Sequence, residues 1–239
     1  MKNNNNASSR NKALCLGVLG RAGIKPRYVP RKVSLKVLDQ RVGGLSNTSK
    51  MPGTSISLSA YRCSNGKKLN LKPGSVCHKC YALKGRYAFD QTQAALERRY
   101  QALMNSPTWV LDMGDLLARK SKGYHRWHDS GDLQSETHLD KIVAVALGTP
   151  SVKHWLPTKE YKLIRDYSKP IPDNLVIRVS APMVDQVLPG FAHTSSVVSK
   201  GSPIPKGSHF CPASTQGGTC GDCRACWDNS VQVVAYPTH

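Results

Sequence analysis

The stretch "GYHRWHDSGDLQSETHLDKIVAVALG", residues 123–148, decides the fold class. Its first half reads as a strand that ends in the polar turn His128-Asp129-Ser130-Gly131-Asp132. Its second half, from Ser135, reads as a helix. Ser135 and His138 frame the first helical turn, and Gly148-Thr149-Pro150 stops it. A strand passing through a short turn into a helix is one βα unit.

The same pattern recurs on both sides. "VKHWLPTKE" (152–160) is a strand with a polar end, "YKLIRDYS" (161–168) a short helix, and "NLVIRVSAPM" (174–183) a further strand. Upstream, "TSISLSA" (54–60) alternates Ile56 and Leu58 with small polar residues. A loop holding three cysteines follows it. "DQTQAALERRYQALMN" (90–105) then has helical spacing, with Asp90 as the expected N-cap, and a second helix is expected within 107–120. Four βα-like units predict an α/β fold, either a partial (βα) barrel or a small parallel sheet. A complete eight-fold barrel would need about 250 residues for itself.

Four regions are expected. Residues 1–12 are an Asn-rich flexible tail, and 13–50 a basic segment broken by glycine and proline. Residues 51–190 form the α/β core, and 191–239 an irregular, Gly-, Pro- and Ser-rich tail that carries cysteines. In parallel α/β proteins ligands gather at the C-terminal ends of the strands. The residues expected on that rim are Cys63, Cys77 and Cys80; His128, Asp129, Ser130 and Asp132; Thr158, Lys159 and Glu160; and Ser180 with Met183.

With 39% hydrophobic residues the chain can build a core, which excludes wholesale disorder. It has no run of about 18 apolar residues, so no transmembrane helix is expected. The apolar piece "ALCLGVLG" near the N-terminus is too short and too poorly flanked for a signal peptide. A cytoplasmic location is therefore expected. Charge is distributed unevenly. Residues 1–89 hold eighteen Lys or Arg against one acid, Asp39, whereas the remainder is close to neutral. That balance points to a polyanionic partner, nucleic acid first, with a host protein as the alternative.

Eight cysteines in a reducing compartment suggest metal rather than disulfides. Cys15 stands alone. In "CPASTQGGTCGDCRACW", Cys211 is followed after eight residues by Cys220, Cys223 and Cys226 at two-residue intervals. Three closely spaced thiolates and a remote Cys-Pro suit a [4Fe–4S] cluster, and four thiolates also suit zinc. Cys63, Cys77 and Cys80 form a three-thiol set. Three thiolates leave a fourth metal position open, the mark of a catalytic centre. Zinc completed by His78 or a tail cysteine is the alternative, and a Cys77–Cys80 redox disulfide would leave Cys63 unexplained. His125 and His128 point to opposite faces of a strand, so His125 is expected in the core. Tyr81, Tyr87, Trp127 and Trp155 are candidates for stacking on bases.

Together "KMPGTSISLSAYRC", "PGSVCHKCYALKGRY", "HDSGDLQS", "HWLPTKEY", "APM" and "CPASTQGGTCGDCRACW" resemble the phage-encoded gene-product-eighty-eight-like proteins. That resemblance covers roughly residues 45–236 and implies a phage origin with action in the host cytoplasm. The order of motifs also resembles radical S-adenosylmethionine enzymes with an auxiliary C-terminal cluster. The resemblance implies a catalytic [4Fe–4S] cluster on Cys63, Cys77 and Cys80. It also implies S-adenosylmethionine held by Ser130, Gly131 and Asp132 with Ser180 at a ribose hydroxyl, and a second cluster on Cys211, Cys220, Cys223 and Cys226. The cysteine spacing, thirteen residues and then two, departs from the usual three and then two. The alternative function is a non-enzymatic, metal-stabilised binding protein.

Overall fold

The structure is a computed structural model that describes residues 31–238. The expected flexible tail, Cys15 and residues 13–30 of the basic segment lie outside the described residues.

An open eight-stranded sheet organises the chain. Its strands are β1 (Ser46–Asn47), β2 (Thr54–Ile56), β3 (Tyr124–Trp127), β4 (Lys153–Thr158), β5 (Leu175–Ser180), β6 (Thr194–Val198), β7 (His209–Phe210) and β8 (Val233–Pro237). Their spatial order is β1-β2-β3-β4-β5-β6-β8-β7. Only β1 pairs antiparallel. From β2 to β6 each strand lies beside its predecessor in sequence, and the sheet is open rather than closed into a barrel.

The helices are α1 (Leu35–Arg41), α2 (Ser64–Asn70), α3 (Asp90–Asn105), α4 (Trp109–Lys120), α5 (Glu136–Gly148) and α6 (Tyr161–Asp166). Ser135 caps α5 by accepting a hydrogen bond from the His138 amide at 3.2 Å, satisfying one of the free N–H groups of the first turn. Helices α4 and α5 pack together against one face of the sheet. Met113, Leu116 and Leu117 from α4 and Leu139 and Ile142 from α5 meet Trp127 and Leu156 there, all essentially without exposure. Burying side chains of this size contributes about 1.5–3 kcal/mol each.

Alternation along the strands sends a second set of residues to the opposite face. Arg126 on β3 is paired in register with Trp155 on β4, and Arg178 on β5 with Pro157. The loop between β7 and β8 covers this face. Its Trp227 meets Tyr124 and Trp155 edge-on, with ring centroids at 5.6 and 5.2 Å, and its indole N–H donates to the His125 carbonyl at 2.9 Å.

Three sequence expectations change. The C-terminal tail is not wholly irregular, because β6, β7 and β8 extend the sheet. Their strands are short, and β6 buries Thr194, Ser195 and Ser196, so no apolar alternation announces it. Asp90 lies in the first turn of α3, whose N-cap is Phe89. The segment after β2 is not a plain loop, since α2 separates Cys63 from Cys77. Among the described residues no helix is long and apolar enough to cross a membrane.

Candidate functional site

Beyond β2 the chain runs alongside the turn that follows β3. The Leu58 amide donates to the Ser130 carbonyl at 3.0 Å, and the Ser130 hydroxyl donates to the Leu58 carbonyl at 2.8 Å. Gly131 has φ +77°, and a Cβ there would lie 2.7 Å from the Leu58 carbonyl oxygen, so only glycine fits. This close pairing delivers Cys63 to the strand-end rim, as the N-cap of α2.

Glu160, just past β4, holds the start of α2. Its carboxylate accepts from the Ser64 hydroxyl at 2.8 Å, the Asn65 amide at 3.2 Å and the Asn65 side chain at 3.0 Å. The next cysteine is held from β5: the Val76 amide donates to the Pro182 carbonyl at 2.9 Å, fixing the position before Cys77. Lys79 takes a left-handed φ of +56°, which folds Cys80 back so that its amide donates to the Cys77 carbonyl at 3.1 Å. Three strand ends therefore carry the first cysteine set.

Asp132 sits among them, buried. Its Oδ1 accepts from the Thr158 hydroxyl at 2.6 Å and the Leu133 amide at 2.8 Å, and its Oδ2 from the Lys159 amide at 2.8 Å. Burial raises its pKa to about 6 against the pull of those three donors. Cys63 is pushed up to about 12, first by burial and then by the negative charges of Asp132, Cys77, Cys80 and Glu160. Burial also raises Cys77; Lys159 opposes that, while Cys80 and Asp132 add to it. Burial and neighbouring negative charge thus both disfavour thiolates at Cys63 and Cys77, a cost that a bound cation would offset.

The second set lies on the opposite sheet face. Arg178, fully buried, anchors it by donating to the carbonyls of Ala225 (2.7 Å), Asp228 (2.9 Å), Cys226 (3.1 Å) and Gln232 (3.4 Å). The Cys220 amide donates to the Lys50 carbonyl and the Cys211 amide to the Ala235 carbonyl, both at 2.8 Å. His209 Nε2 lies 3.2 Å from Cys223 Sγ, and Tyr236 Oη 3.2 Å from Cys226 Sγ. Burial raises Cys226 to about 11, with Tyr236 and Arg178 opposing it and Cys211 and Cys220 adding to it. Burial, Cys211 and Cys223 raise Cys220, and Arg224 and Arg126 oppose.

All seven described cysteines are free thiols. Among the described residues, no three His, Cys, Asp or Glu side chains form, as placed, a group that could hold a metal ion. Within each set the cysteines are near enough to influence one another's charge: Cys77 and Cys80 act on Cys63, and Cys211 and Cys223 on Cys220. The Gene product 88 family model matches residues 36–229. The chain belongs to this family. No curated protein and no solved structure gives a significant match.

In this Gene product 88 chain, the residues expected to touch S-adenosylmethionine have partners within the protein. Ser130 and Gly131 shape the turn, Asp132 accepts three bonds, and the Ser180 hydroxyl accepts from Ser195 at 3.2 Å. His125 is buried as expected, its Nδ1 bonded to the Thr54 hydroxyl at 2.9 Å. His128 has a left-handed φ of +57° and is buried, packed edge-on against His138. Trp127 and Trp155 are buried and closed to bases, whereas Tyr81 is exposed.

Sequence reasoning missed Arg178, His209 and Tyr236. An arginine inside the apolar strand "LVIRVS" was the available signal for the first, because a buried guanidinium needs acceptors for five N–H groups. His209 and Tyr236 had no local signal. Pairing of β7 with β8 is what brings them to the cysteines.

Proposed function

We propose that this Gene product 88 protein is an iron–sulfur protein resembling radical S-adenosylmethionine enzymes, acting in the host cytoplasm on a nucleic acid or nucleotide-bearing substrate. The observation that carries the reading is the sorting of seven free thiols into two sets, one of three on the strand-end rim and one of four across the sheet. Cys63, Cys77 and Cys80 would hold a cluster with one open iron, and Cys211, Cys220, Cys223 and Cys226 an auxiliary one. Loading either set would also take loss of the thiol protons, which the metal's charge drives. When bound, a [4Fe–4S] cluster with an open iron supplies an electron and a position for the amino and carboxylate groups of S-adenosylmethionine.

The protein's own part is positional. A carboxylate offers about four acceptor directions. Asp132 uses three internally, which leaves one for an ammonium beside the thiols. Ser130 and Gly131 fix the turn that presents Asp132, and Thr158 and the Lys159 amide hold its carboxylate still. Anaerobically purified, reduced protein should change its electron paramagnetic resonance spectrum when S-adenosylmethionine is added. An iron-loaded protein with an unchanged spectrum would remove the enzyme reading.

A second reading has its own observation. His209 at 3.2 Å from Cys223 gives the four-thiol set a nitrogen donor, which suits structural zinc. On that reading the protein is a metal-stabilised binding protein and its basic surface carries the function.

A further inference from the structure

The connection from β2 to α3 carries all three cysteines of the first set and is strongly basic. Between residues 61 and 89 there are seven Lys or Arg and no acid. Arg62 is tied to Glu97 and stacks over Tyr100. The other six, Lys67, Lys68, Lys72, Lys79, Lys84 and Arg86, are exposed, and none forms an ion pair among the described residues. The short helical turns 60–62, 81–83 and 85–88 pack on one another, and the Tyr81 and Tyr87 rings meet edge-on at 5.7 Å. That packing strings Tyr61, Tyr81 and Phe89, which are 51%, 57% and 63% exposed, through the basic residues. Tyr61 and Phe89 leave most of their apolar surface in water, and Tyr81, tied through its hydroxyl and against Tyr87, still leaves 57% exposed.

A cleft of about 380 Å³ opens beside them, lined by Ser57, Arg86, Tyr87, Gln91, Arg99 and Asp129. It is joined to the aromatic surface through the Tyr81 hydroxyl, which donates to the Asp129 carbonyl. Its lining offers the Asp129 carboxylate, which also accepts from the Ser57 hydroxyl, the Gln91 amide, the Arg86 guanidinium and the one terminal nitrogen of Arg99 not bonded to Gly44 or Ser46, around an aromatic ring, a set suited to the edge and phosphate of one nucleotide.

We propose that the face built by residues 61–89 binds single-stranded nucleic acid around the Cys63–Cys77–Cys80 rim. Phosphates lie on the six free basic side chains, bases stack on Tyr61, Tyr81 and Phe89, and one base enters the cleft at Asp129. Exposed rings can stack only on bases that are already unstacked, which a duplex does not offer. An acidic polypeptide would satisfy the lysines but would leave the rings idle and meet the Asp129 carboxylate. The proposal deepens the reading of the substrate given above and rests on it for the role of the thiols.

The test is fluorescence anisotropy of labelled single-stranded DNA and RNA 15-mers with anaerobically purified full-length protein. Metal content is measured on the same samples, and unlabelled duplex and polyglutamate serve as competitors. Phe89→Ala and Tyr61→Ala should each weaken single-strand binding by between about 5-fold and 100-fold without changing the salt dependence. Lys67→Ala and Lys68→Ala should each lower the slope of log affinity against log salt by about 0.7. Lys200→Ala, on the loop after β6 and four strands away, should change neither. Competition by duplex or polyglutamate equal to that by single strand would overturn the proposal, as would unchanged affinity in both aromatic variants. Absent binding with a full metal load removes this surface alone. Intact binding without metal supports the surface and removes the iron–sulfur reading.

Discussion

Replacing Arg178 with methionine keeps the length and apolar stem of the side chain and removes every donor. Four carbonyls, those of Ala225, Cys226, Asp228 and Gln232, then lose their partner. Hydrogen bonds from a charged donor contribute about 1.5–3 kcal/mol each, so a plain sum would reach about 6–12 kcal/mol. Carbonyls near the loop edge regain water, and methionine brings favourable apolar contact, so the expected loss is about 3–5 kcal/mol, as for other broken buried charge networks. With a urea dependence of about 2 kcal/mol per molar, the unfolding midpoint should fall by about 1.5–2.5 M. The loss should also be local. Cys211, Cys220, Cys223 and Cys226 should react faster with a thiol reagent in native buffer, while Cys63, Cys77 and Cys80 keep their wild-type rates. A midpoint within about 0.3 M of wild type, or equal acceleration of both cysteine sets, would refute the assignment of Arg178 as the anchor of the second set.

Three further outcomes are expected. His128 and His154 are held at about 3 by burial, and His125 and His138 are also well below the usual imidazole value. Stability from these histidines is present above the unfolded value of about 6.5 and is lost as pH falls below it. Asp132, raised to about 6, acts in the opposite direction between that value and the ordinary carboxylate pKa. Four imidazole protons taken up by the unfolded chain outweigh one taken up by the fold, so the urea midpoint should fall steeply from pH 7 to 5.5, and a flat profile would contradict the burial. Gly131→Ala puts a methyl group 2.7 Å from the Leu58 carbonyl oxygen at a left-handed φ, so thermal unfolding should show a loss of at least about 2 kcal/mol. Asp132→Asn faces the Thr158, Leu133 and Lys159 donors with an amide N–H at one position, and denaturation should show a cost of about 1–3 kcal/mol.

Much of the architecture was legible because α4, α5 and strands β3 to β5 obey simple periodicities. Ser135 and Gly148-Thr149-Pro150 bound α5 much as capping chemistry dictates. The strand-end rule, applied to the sequence, also puts Cys63, Asp132 and Glu160 on one rim. What stayed hidden depends on long-range pairing. Strands β6 and β8 become strands through each other, with Ser195 opposite Val234 and Val197 opposite Tyr236. The internal work of Asp132 was equally invisible, since its donors Thr158 and Lys159 come from a neighbouring strand 26 and 27 residues away. A sequence motif names a carboxylate without saying which of its oxygens the fold has already used.

The most direct test of the two-centre account is iron, sulfide and zinc analysis of anaerobically purified wild type beside two variants. In one, Cys63, Cys77 and Cys80 are serine; in the other, Cys211, Cys220, Cys223 and Cys226 are serine. The account predicts about eight irons per wild-type chain and about four in each variant, with matching sulfide. Colourless wild-type protein with stoichiometric zinc and no iron would contradict it.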